Sequence, residues 1–147
     1  MRHLTIFAAV LPLCLLGCAD APRQTKLKPG TTFTIHDVAA QAGPNTKPLT
    51  DPDTGVVLNV IDPPLVTEAN VASATVTTNE QNSVYLDVEL DRPGAAKLQA
   101  ATAVTGQQVA IVVNGNIASA PIVRAPISGR FRVTGSHTRS DWQKIVQ

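Results

Sequence analysis

Cysteine is nearly missing from this sequence: its 147 residues hold two, Cys14 and Cys18. Past Cys18 there is none, which excludes disulfides and thiolate metal sites from the remaining chain. Aromatic residues are scarce as well, with one Trp, one Tyr and three Phe. That leaves no series of stacking platforms for single-stranded nucleic acid. Charge of one sign is also lacking. Without Arg2 the chain carries eleven basic and eleven acidic groups, so overall charge points to no nucleic-acid partner. Beyond the first eighteen residues the imidazoles are His36 and His137, with no paired acidic motif beside them, so no metal and no cofactor is expected. The glycines at 106, 115, 129 and 135 lack the spacing of a phosphate-binding loop.

One long apolar run is present, from Leu4 to Leu16. Its thirteen residues fall short of the ~20 that a membrane-spanning helix needs. Arg2 and His3 precede it and small residues close it, which is the pattern of a secretory signal peptide. Its end, Leu15-Leu16-Gly17-Cys18, resembles the lipobox of bacterial lipoproteins. The resemblance implies a thioether-linked diacylglycerol on Cys18, cleavage between Gly17 and Cys18, and acylation of the new amino terminus. Cys14, preceded by Pro12 and Leu13, is a poor rival; a plain secretory signal with a chance cysteine is the alternative. Acyl chains contribute ~0.8 kcal/mol per buried methylene, so two or three of them would hold the protein on a membrane. The expectation is a lipid-anchored protein facing the periplasm. Ala19, where aspartate would retain a lipoprotein at the inner membrane, resembles an outer-membrane destination, and Asp20 weakens it.

Residues 1–18 are thus read as a signal peptide with lipobox, and 19–55 as a tether and irregular segment rich in turn formers. Within the latter, TTFTIH (31–36) alternates like a short strand. A compact domain is expected over 56–147. Strands are expected at 56–61, 71–78 and 84–90, the last with Val84, Leu86, Val88 and Leu90 on one face and Tyr85, Asp87 and Glu89 on the other. Asp91 is a suitable N-cap and Pro93 suits the first turn of a helix over 93–105, with Gly106 as its stop. Val109–Val113 is apolar at every position, as in a strand covered on both faces. Asn114-Gly115 then marks a type I′ hairpin, and 116–120 returns until Pro121 ends the pairing. Another strand is expected at 130–135. Thr138 and Asp141 form a capping box that opens a final helix, where Trp142, Ile145 and Val146 can pack. The fold class is α+β, a small antiparallel or mixed sheet with two helices packed on it.

The stretch GQQVAIVVNGNIASAPIVRAPISGRFRVTG resembles the head subdomain of the first periplasmic domain of SecD and SecDF. The matching positions are Thr102, Gly106, Ala110-Ile111-Val112, Gly115, Ser119-Ala120-Pro121, Ile127, Gly129 and Val133-Thr134-Gly135. Asn114 departs from the aspartate common at the hairpin, and Leu98 from a frequent aromatic. The resemblance runs from about Val56 to Gln147 and implies a SecD-head-like fold. It also implies binding of exported polypeptide or Sec translocon components; proton coupling, which needs transmembrane helices, is not carried over.

A non-enzymatic binding module is therefore expected. The alternatives are an envelope hydrolase using His137 with Ser136 and Asp141, and a purely structural or inhibitory lipoprotein. Arg124, Arg130, Arg132, Arg139 and Lys144 gather near the C-terminus against Asp141. They read either as a solvated sheet face and helix or as a surface for anionic lipid head groups or acidic partners.

Overall fold

The computed structural model describes residues 25–147. In chain order its elements are β1 (Phe33–Ala39), β2 (Thr46–Thr50), β3 (Val57–Ile61), β4 (Val71–Thr78) and β5 (Val84–Leu90). Then come α1 (Arg92–Ala101), β6 (Val109–Val113), β7 (Asn116–Ser119), β8 (Arg130–Val133) and α2 (Arg139–Gln143), with a 3-10 turn at Glu68–Asn70 before β4. The strands make two sheets, β2-β3-β1-β6-β7 and β4-β5-β8. Their pairings are antiparallel. The one small sheet expected from the sequence is thus two, with strand dominating and two short helices.

A larger correction concerns 19–55. From Thr25 onward this stretch is folded, and β1 lies in the middle of the five-stranded sheet, between β3 and β6. Phe33 and Ile35 supply the reason: their alternation places two large apolar side chains on one face, where both are fully buried. Ile35 also trades backbone hydrogen bonds with Leu65 and Val66. The polar stretch after β1 pairs as β2 with β3, from Thr46↔Ile61 to Thr50↔Val57.

Two apolar cores result. The larger lies between the sheets, where Phe33, Ile35, Val109 and Ile111 meet Ala74, Leu86, Val88, Leu90 and Val133. Leu98 of α1 and Trp142 of α2 are packed into the same cluster. The smaller joins Leu58 and Val60 of β3 to Ala110 and Val112 of β6 and Ile117 of β7, with Val38 and Leu49 against it. Alternate residues of β6 therefore enter different cores, which is why every position of that strand is apolar.

Helix α1 starts as expected. Gly94 N–H donates to Asp91 Oδ1 at 2.7 Å, and Asn70 Nδ2 donates to both Asp91 carboxylate oxygens. It stops sooner than expected, at Ala101 rather than near 105. Thr102 takes over there: its hydroxyl donates to Leu98 O at 2.7 Å and accepts from Ile127 N–H at 2.8 Å. Such a side-chain bond to the backbone competes with the next helical turn. Gly106, expected as the stop, lies in the turn before β6 with φ +91. Gly129 lets the chain press on α1, since a Cβ there would lie 2.6 Å from Ala95 Cβ. At the β6–β7 turn, Asn114 (φ 49) and Gly115 (φ 82) both take the left-handed conformation of a type I′ hairpin.

Candidate functional site

The corner where β8 leads into α2 holds Ser136, His137 and Asp141. The Asp141 carboxylate turns to the helix start: it accepts from Thr138 N–H at 2.9 Å and Thr138 Oγ1 at 2.6 Å. Lys144 Nζ donates to its other oxygen at 3.2 Å. The Thr138 hydroxyl and amide, with the Lys144 ammonium, hold the Asp141 carboxyl down to about 2. The capping box is therefore complete, as expected. Ser136 turns elsewhere. Its hydroxyl and amide both donate to Asp53 Oδ1, across 83 residues of sequence. His137 stacks on Trp142 with ring centroids 4.5 Å apart and 25° between planes. Its Nδ1 and Trp142 Nε1 are buried without a hydrogen-bond partner among the described residues.

A nucleophile needs its base in hydrogen-bond reach, and the base needs an orienting group. Here Ser136 answers to Asp53, and Asp141 answers to Thr138 and Lys144. The three residues share a corner without forming that chain of contacts. His36 is engaged too, through Nδ1 with Ile61 O at 2.8 Å and Nε2 with Thr34 Oγ1 at 2.9 Å. Its neighbour Asp37 has its carboxyl pushed up by burial, partly offset by His36. Among the described residues no group of three or more His, Cys, Asp or Glu could hold a metal ion. Asp53 is the functional-corner residue that sequence reasoning misses, because the only signal is a tertiary contact.

The basic residues divide. On the outer face of the three-stranded sheet, Arg130 pairs with Glu89 at 2.9 Å and Arg132 with Asp87 at 3.0 Å. These are directly opposed residues in the β5–β8 register. Arg132 also lies 3.6 Å above the Tyr85 ring, and its hydrogen bond to Asp87 raises the guanidinium pKa further. This part is a solvated, neutralised sheet face. Arg139 instead reaches the Thr78 hydroxyl, and Lys144 the cap of its own helix.

The four sheet edges differ in what they offer a partner. β2 carries Pro48, which has no N–H to give, and it approaches the other edge of its sheet, β7. Along β4, Ala74 N–H donates to Thr25 O at 2.9 Å and the hydroxyls of Thr25 and Thr75 meet at 2.8 Å. β8 pairs with β5 alone; on its far side Arg130 O accepts from the Ser128 hydroxyl at 3.4 Å, and no backbone-to-backbone hydrogen bond is made there among the described residues. An open antiparallel edge presents unpaired N–H and C=O groups to any extended chain. Cys18 and Gly17, the expected lipidation and cleavage positions, lie outside the described residues. No helix among the described residues is long and apolar enough to cross a membrane.

Comparison with known proteins adds to this geometry. A family model described as the P1 head subdomain of SecDF matches residues 45–146. The protein translocase subunit SecD of Magnetococcus marinus is 32% identical over 77 residues, which is 49% of this chain and 14% of that protein. The chain thus spans a small part of the curated relative that it matches. Among solved structures, one described as a membrane component SecDF that enhances protein export superposes with TM-score 0.61 at 19% identity. That match covers 78% of this chain and 59% of the other. SecDF in a super-membrane-facing form gives TM-score 0.58 at 19% identity, over 76% of this chain and 17% of the other. At such identity these two likenesses speak for the fold.

Proposed function

The chain belongs to the family of the SecDF P1 head subdomain, and from that premise we propose that it is a non-enzymatic binding module of the cell envelope with a part in protein export. Its ligands on this reading are extended segments of exported polypeptides, or components of the Sec translocon. Its anchor is acylated Cys18, which puts the domain on the periplasmic side of a membrane, with Ala19 favouring the outer one.

The observation that carries the reading is the family's fold with β8 left as an open edge. A passing chain laid beside β8 would pair its backbone there and gain affinity with little demand on its sequence. That suits a module meeting many different polypeptides. Arg130 and Arg132, already paired with Glu89 and Asp87, keep the edge soluble while it is empty.

The test is a photo-crosslinking residue at Arg130 in living cells, with Lys47 on β2 as the control position. Capture of exported or envelope proteins at 130 and not at 47 is the expected result. If neither position captures any such protein while fatty acid still enters at Cys18, the binding reading fails and the anchor stands. His137→Ala should leave capture unchanged; loss of function in a folded His137→Ala protein would favour the hydrolase instead.

A further inference from the structure

The first described residues do not trail away from the fold. Lys26 and Gln147 exchange backbone hydrogen bonds at 3.3 and 2.9 Å, and Lys28 N–H donates to Ile145 O at 2.8 Å. Residues 25–28 therefore run between the edge of β4 and the end of α2. This brings together cations that are far apart in sequence. Lys26 is exposed on that segment, and Lys28 Nζ donates to Gln143 O, at the last residue of α2, at 2.9 Å. Lys144 projects from the same end of α2, its side chain 72% exposed, and Arg139 lies at the helix start. Asp141, shared between Thr138 and Lys144, is the acid on this helix, and Glu80 lies beyond Thr78 on the β4–β5 turn. The face keeps an excess of positive charge in a molecule that is otherwise near balance.

We propose that the face built from residues 25–28 and α2 rests on an anionic lipid bilayer, with Lys26, Lys28, Arg139 and Lys144 meeting the acidic headgroups. The proposal rests on the reading of Cys18 as the lipid anchor. Thr25 is seven residues from Cys18, so the backbone between them spans at most about 25 Å. A tether so short presents this face to the bilayer at high effective concentration. Attraction between basic side chains and an anionic surface fades within about one Debye length, ~8 Å at physiological salt, so only the face nearest the anchor can feel it. The pairs Arg130–Glu89 and Arg132–Asp87 leave the β8 face neutral, whereas on the α2 face Lys144 alone meets an acid, Asp141, and Lys26, Lys28 and Arg139 form no ion pair among the described residues.

The experiment uses the processed chain beginning at Cys18, in acylated form and as Cys18→Ser. Vesicles of phosphatidylcholine alone are compared with vesicles that also contain phosphatidylglycerol. On acylated protein, amide exchange at 25–28 and 139–147 should slow on the anionic vesicles and stay unchanged on the neutral ones. The Cys18→Ser chain should co-sediment weakly with the anionic vesicles alone. Replacing Lys26 and Lys144 by Gln should weaken that by roughly tenfold, as should raised salt, whereas Lys47→Gln should not. Equal exchange on both vesicle types by the acylated protein would overturn the proposal and leave the anchor intact. Anionic binding by Cys18→Ser that ignores the two lysines would overturn it as well. If cells do not acylate Cys18 but the lysine-dependent binding persists, the anchor reading fails and the headgroup surface stands.

Discussion

The core between the sheets is stitched from β1, β4, β5, β6, β8, both helices and Ala118 of β7, whereas the core under the β2–β3 ribbon is held by β3, β6 and β7 with Val38 and Leu49. The first contains the largest fully buried side chains, Trp142 and Phe33 among them. The second is built of smaller residues, and Leu58 keeps a 9% exposure. A cluster fed by many elements fails as a whole, while one fed by a ribbon can open by itself. The surface follows the same division. Residues 25–28 and α2, which carry the proposed headgroup face, and β8, which carries the open edge, both border the large core.

The largest expected effect comes from emptying the large core. Trp142→Ala removes a side chain that is 1% exposed and should destabilise the protein by about 3–5 kcal/mol. Chemical denaturation should show one cooperative transition at a lower midpoint, with protection lost in β1, β5 and α2 together. Leu58→Ala should cost less, about 2 kcal/mol, because a small and partly exposed cluster can collapse around the gap. Hydrogen exchange should then speed up in β2 and β3 and leave β5 protected. Equal loss of protection in both regions would erase the distinction between the cores. Gly129→Ala comes next, at about 1–2 kcal/mol, since the new methyl meets Ala95 Cβ at 2.6 Å and α1 must shift. Its cost should fall on the unfolding midpoint and be relieved by a second change, Ala95→Gly.

The same division explains what could be read from the sequence. β5 shows its alternation because Asp87 and Glu89 stay at the surface while Leu86, Val88 and Leu90 enter the large core, and its bounds come out as expected. Tyr85, expected on the wet face, is instead buried, with Arg132 over its ring. The caps of α1 and α2 and the Asn114-Gly115 turn are local chemistry, set by residues three or fewer apart. β6 announces that both its faces are covered without saying by what. Of the ribbon, β3 falls within the strand expected at 56–61, and only β2 stays hidden, for a physical reason. β2 reads Thr-Lys-Pro-Leu-Thr, an edge strand with a proline, and only its pairing with β3 makes it a strand. β1 shows its pattern plainly, but its central place depends on partners 20 to 80 residues away. At the candidate corner, the residue types pointed to Ser136 and His137, whereas the partner of Ser136 is Asp53, a choice only the folded chain makes.

The smallest effect sets two acids of the two regions against each other. Asp141, beside the large core, has its carboxyl lowered from 3.8 to about 2 by the Thr138 hydroxyl first and then the Thr138 amide and Lys144. Folding therefore favours its ionised form, and that contribution is complete above pH 4–5 and lost as pH falls toward about 2. Asp37, at the junction of β1 and the ribbon, is shifted the other way by burial. Its ionised form is disfavoured in the fold, so it weakens the native state as pH rises through the ordinary carboxylate range. Acidification should therefore loosen α2 while slightly relieving β1. Fluorescence of Trp142, the one tryptophan of the chain, reads the α2 side directly. It should change between pH 4 and 2 in the parent protein and lose that transition in Asp141→Asn. Asp37→Asn should leave the Trp142 transition in place and instead raise the protection of β1 amides at neutral pH. If Asp37→Asn abolishes the Trp142 transition, the two regions are one cooperative unit and the contrast between their cores is wrong.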